Sequence, residues 1–126
     1  MHKQNNNALT SDKLAKLIVK GIKEKKGHNI VTMNLKNIEG AVTDFFVICE
    51  ANSSTQIDAI KKSIEKEVKK SSNEKPWHVE GTSKLEWVLI DYVNVVAHIF
   101  QSEKRKFYDL EGLWGDARIN KIEVEY

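Results

Sequence analysis

Apolar positions recur along this chain first at helical and then at strand spacing. Leu14, Leu17, Ile18, Gly21 and Ile22 share one face of a helix opening at Thr10 or Ser11, either a fair N-cap. Lys23, Lys25 and Lys26 fall near its C-terminus, where the helix dipole favours cations, and Gly27 stops it. Asn29 to Leu35 alternates loosely as a strand, and Val42 to Cys49 is a near-continuous apolar run suited to a central strand covered on both faces. Ser53-Ser54-Thr55-Gln56 forms a capping box, with Ser53 as the cap and Gln56 reaching back. The helix it opens turns Ile57, Ile60, Ile64 and Val68 inward, and Lys61, Lys62, Lys66, Lys69 and Lys70 towards water. It ends in the polar stretch Ser71 to Lys75, before Pro76. Three strands follow: Trp77 to Glu80, Leu85 to Asp91 and Val95 to Phe100. A last helix starts near Ser102, carries Phe107, Leu110 and Trp114 on its apolar side, and ends at Gly115.

Helices interleaved with strands predict an α/β (α+β) domain, a mixed sheet of about five strands with helices packed on it. Residues 1–9 are polar and Asn-rich and are expected to be a flexible N-terminus. Residues 10–117 form the single domain. The tail, 118–126, alternates at Ile119, Ile122 and Val124 but has no partner that the sequence identifies.

The segment from Leu85 to Phe100 carries the most information. A two-residue turn at Val93-Asn94 sets Tyr92 opposite Val95, Ile90 opposite Ala97 and Val88 opposite Ile99, an apolar face. The other face pairs Trp87 with Phe100, Leu89 with His98 and Asp91 with Val96. Asp91 and His98 are costly to bury without partners, so this second face is expected to meet solvent. It then exposes Trp87, Leu89 and Phe100 around two polar groups, the composition of a protein-binding hot spot. The alternative is a helix over this face, with Asp91 and His98 bonded to each other or to backbone.

Composition changes this picture little. The chain has 126 residues, 30% of them charged, and a net charge of +2, so its overall charge does not announce a nucleic-acid binder. Its one cysteine, Cys49, excludes an internal disulfide and a multi-cysteine zinc site, and its apolar surroundings predict a buried thiol. The start of the chain lacks the apolar stretch of a signal peptide, and no run is long enough to span a membrane. A cytoplasmic protein without a membrane partner is expected. The four histidines, His2, His28, His78 and His98, have no metal-ligand spacing, and no phosphate-binding glycine loop or nucleophile elbow occurs. No cofactor, no metal and no catalytic residue are expected.

Five stretches taken together point further. They are Thr43 to Cys49 with Asn52-Ser53-Ser54; His78-Val79-Glu80-Gly81; Trp87 to Tyr92; Val95 to Phe100; and Phe107 to Ala117. In order and spacing they resemble the ribosomal silencing factor (Iojap-like) family over roughly residues 11–117. The resemblance implies a nucleotidyltransferase-like sheet and a partner in the large ribosomal subunit, through its protein number fourteen. Binding there blocks subunit joining and so represses translation when nutrients are short. It also implies that Trp87 belongs to the contact surface and that the free chain is a homodimer. A contact with neighbouring ribosomal RNA is a further expectation. The partner-binding set is thus Trp87, Leu89, Asp91, His98 and Phe100. Two features depart from the family pattern: Val93-Asn94 stands where Gly-Asp is usual, and the tail after Ala117 lies outside it.

Two other functions compete. A large-subunit assembly or RNA-binding factor would use the lysines of the second helix. A nucleotidyltransferase needs carboxylates converging on a metal, but Glu86 and Asp91, five apart, point to opposite faces of one strand. The chain is therefore expected not to be an enzyme.

Overall fold

A computed structural model describes residues 9–126. Residues 1–8, most of the expected flexible N-terminus, lie outside the described residues, and Leu9 packs against the core. The elements are α1 (Ser11–Glu24), β1 (His28–Asn34), β2 (Phe45–Ala51), α2 (Ser54–Ser72), β3 (His78–Glu80), β4 (Trp87–Asp91), β5 (Val95–Gln101), α3 (Ser102–Tyr108), α4 (Leu110–Leu113) and β6 (Arg118–Lys121). They build the expected α+β arrangement around one mixed sheet in the order β3-β4-β5-β2-β1-β6. β2 and β5 run parallel and every other pair is antiparallel. Among the described residues the sheet has six strands instead of about five, because residues 118–121 pair with β1 and set Ile119 opposite Met33.

α1 and α2 cover one face of the sheet. The Thr10 hydroxyl accepts the Lys13 N–H and caps α1, and the stripe from Leu14 to Ile22 is buried except for half-buried Leu17. The two helices cross closely at Gly21, where a Cβ would stand 2.8 Å from the Ile64 Cα. Ser63 Oγ donates to the Gly21 carbonyl there, at 2.7 Å. Beneath them Val47, Cys49, Val88, Ile90, Ala97 and Ile99 complete the main core. Cys49 is buried as expected, and burial pushes its thiol up to about 12.

Several boundaries differ from the sequence reading. Val42 is 94% exposed and precedes β2, because the ladder to β5 begins at the Phe45–Val95 pair and the chain before it turns through a loop. The Leu35 N–H closes that loop on the Asp44 carbonyl. Ser53 caps α2 as read, but Gln56 does not reach back to it. Its amide instead donates to the Lys25 and Lys26 carbonyls, tying the start of α2 to the end of α1. Trp77 is exposed and precedes β3, and Leu85 sits in the loop before β4 at φ +56.

The expected last helix is two short ones. Asp109 adopts a left-handed conformation between them, and its carboxylate caps α4 by accepting the Gly112 N–H. The break shifts the helical phase. Phe107, expected on the apolar side, is 80% exposed, while Tyr108 and Leu110 turn towards the sheet.

Candidate functional site

The β4–β5 hairpin has the register that a two-residue turn dictates. Trp87 faces Phe100, Leu89 faces His98 and Asp91 faces Val96. The sheet face opposite α1 and α2 therefore gathers all five expected contact residues. It also gathers Phe46, which the sequence reading did not connect to them. Phe46 arrives through the parallel β2–β5 register beside Val96, and no local pattern announces that pairing.

This face does not meet solvent as a whole, which corrects the expectation. Phe100 is fully buried and His98 is 3% exposed, whereas Trp87, Leu89 and Asp91 are half-buried. Tyr108 and Leu110 of the α3–α4 segment cover the Phe100 end, packed with Met33 and Ile48. The polar groups that argued for solvent have each found one partner. Trp87 Nε1–H donates to His98 Nδ1 at 3.0 Å, and Asp91 Oδ1 accepts the Val93 N–H at 2.7 Å. Such bonds lower the cost of burial that made the exposed arrangement the expected one.

Ring packing adds to the hydrogen bond with His98 in placing Trp87. Its indole stacks on Phe100 with centroids 5.0 Å apart and lies 4.6 Å from the Tyr108 ring. Gly81, at φ +87, brings the β3–β4 loop against the Trp87 carbonyl, where a Cβ would come within 1.9 Å of the oxygen. Burial pushes the His98 imidazole down to about 3, so it is neutral at physiological pH. Leu113 and Phe107 stand exposed on the α3–α4 segment, and Trp114, half-buried, meets Phe46 edge-on.

The cover is anchored by Arg105, buried although charged. Its guanidinium donates to Glu50 of β2 at 3.1 Å, to Glu111 of α4 at 2.9 Å and to the Asn29 carbonyl of β1. Three acceptors on three elements suit the planar fork of arginine. Among the described residues no three of His, Cys, Asp or Glu come together to hold a metal, and no helix is long and apolar enough to cross a membrane.

The family model described as "Ribosomal silencing factor during starvation" matches residues 8–126. The chain belongs to this family. A ribosomal silencing factor from Halalkalibacterium halodurans is 36% identical over 115 residues, covering 91% of this chain and 97% of that protein. The chloroplast protein Iojap of Zea mays is 40% identical over 79 residues, 60% of this chain and 32% of that protein. A crystal structure of a protein from Chromobacterium violaceum superposes with a TM-score of 0.79 at 25% identity, covering 85% of this chain and 88% of the other. The silencing factor family match extends through the tail, where residues 118–121 form β6, and the overall fold is shared with that structure.

Proposed function

We propose that this chain silences ribosomes by binding the large subunit, through ribosomal protein number fourteen, and sterically blocking subunit joining. The observation that carries this reading is the uncovered part of the second sheet face. Trp87, Leu89 and Asp91 are half-buried there, and the indole stacks on Phe100, packs tilted against Tyr108 and bonds to His98. A tryptophan so ordered, beside an aliphatic and a carboxylate, suits the centre of a protein interface. Phe100 and His98 enter this surface from beneath, as its support. A homodimer of the free chain belongs to the same reading.

The lysines of α2 favour this reading over an RNA-binding factor. Lys61 pairs with Glu65 at 3.1 Å and Lys62 with Asp58 at 3.0 Å, so acids interrupt the basic stripe. α2 also lies on the face of the sheet opposite Trp87, and a contact with neighbouring ribosomal RNA would be separate from the Trp87 contact.

The test is sedimentation with purified subunits. The chain is expected to co-migrate with large subunits and not with small ones, and Trp87→Ala should weaken binding by about 2 kcal/mol or more. Because Trp87 also packs on Phe100 and Tyr108 and bonds to His98, the variant's folding is checked by thermal unfolding and binding is scored on the folded fraction. Asp91→Asn retains an oxygen for the Val93 N–H and so tests the charge alone. Equal binding to small subunits, or wild-type affinity in Trp87→Ala, would sink the reading.

A further inference from the structure

An indole N–H can only donate, so the bond from Trp87 requires a bare Nδ1 on His98 and places the imidazole proton on Nε2. That Nε2 is buried and has no hydrogen-bond partner among the described residues. A buried donor without an acceptor is destabilising, and an apolar ring at this position would avoid the cost. What an apolar ring cannot supply is the acceptor for Trp87. His98 is itself braced edge-on by Phe46, with centroids 4.6 Å apart, so the acceptor is held rigidly.

We propose that His98 is a positioning residue that never touches the partner but holds the Trp87 indole in the orientation the partner meets. This rests on the reading of Trp87 as a contact residue. An indole already ordered in the free chain loses less rotamer freedom on binding, which appears as affinity. Desolvation keeps His98 neutral, so its acceptor persists through the physiological range.

The experiment combines binding with nuclear magnetic resonance of the 15N-labelled full chain. It has three indole N–H groups, from Trp77, Trp87 and Trp114, assigned by single Trp→Phe variants. The Trp87 indole proton should resonate downfield of the exposed Trp77 and exchange more slowly with water. Exchange as fast as that of Trp77 in the unsubstituted protein would overturn the proposal without recourse to any His98 variant. His98→Phe keeps a ring but removes the acceptor. It should move the Trp87 signal and weaken large-subunit binding by roughly three- to tenfold. His98→Asn places a carbonyl oxygen near the position of Nδ1, and should restore both the signal and affinity to within about twofold. A purely structural role would instead make the two variants follow their thermal stabilities. If both His98 variants bind like wild type while Trp87→Ala does not, the positioning role is wrong and the contact surface stands. If Trp87→Ala itself binds like wild type, the surface reading falls and the positioning role with it.

Discussion

Val93 occupies the β4–β5 turn at φ +76, and across it the Asn94 N–H donates to the Tyr92 carbonyl at 2.9 Å. A positive φ crowds a β-branched side chain against its own backbone. The Asp91 carboxylate, accepting the Val93 N–H, offsets part of that strain. Asp91 therefore serves the turn as well as the surface, a double use that period-two alternation could not reveal. Alternation did place Trp87, Leu89 and Asp91 on one face with His98 and Phe100, but burial of the last two depends on what lies above them. Burial of His98 also has a consequence for stability. Its folded pKa, about 3, is below the usual 6.5, so between these values the unfolded chain binds a proton that the folded chain does not. The stability tied to a neutral His98 is thus complete above pH 6.5 and is lost progressively as pH falls towards 3. Relative to His98→Asn, the wild type should lose about 2 kcal/mol between pH 7 and pH 5. Urea titrations at the two pH values check it, and parallel losses in the two proteins would show that His98 titrates normally.

Among the elements, α1 and α2 show how one residue sets a helix crossing. Gly21 lies in the apolar stripe of α1 and reads from the sequence as a weak helix former. In the structure its missing side chain is what brings α2 close enough for Ser63 to reach the Gly21 carbonyl. Gly21→Ala gains about 1 kcal/mol of helix propensity, but the new methyl meets the backbone of Ile64, which cannot swing aside. Overpacking of this kind costs about 1–3 kcal/mol, so a net loss of about 1 kcal/mol is expected in a denaturant titration. A stabilised variant would mean that the helices separate freely. Capping signals were legible here, since Thr10 and Ser53 act on N–H groups three residues away. The α3–α4 break was not. A left-handed Asp109 inside an otherwise helical pattern leaves no period to read, and the Arg105 anchor joins groups distant in sequence.

At the scale of the molecule the sheet is covered unequally. Two long helices bury one face, and α3 and α4 reach over part of the other, leaving Trp87 and Leu89 at the margin of the cover. If that margin docks on the large subunit, the chain should act by occlusion. Added to separated subunits it is expected to prevent joining; added to joined ribosomes it should act slowly, because its site is blocked. Light scattering in both orders of addition checks this, and equal potency would favour active splitting. Much of the architecture is a local property of the chain. The 3.6-residue and two-residue periods specify α1, α2 and the strands, and a two-residue turn leaves the β4–β5 hairpin one register. The same alternation decides which side chains share a face. Whether a face is covered is not local. Tyr108 reaches Trp87 because Asp109 breaks the helix and Arg105 clamps it to β1 and β2, while the tail becomes β6 because β1 offers an unpaired edge. Those contacts join residues far apart in the chain, and their free energy depends on the assembled surfaces. Local sequence pattern therefore determined which side chains of the β4–β5 hairpin share a face, and only the tertiary structure decided what joins and covers them and which of them meet water.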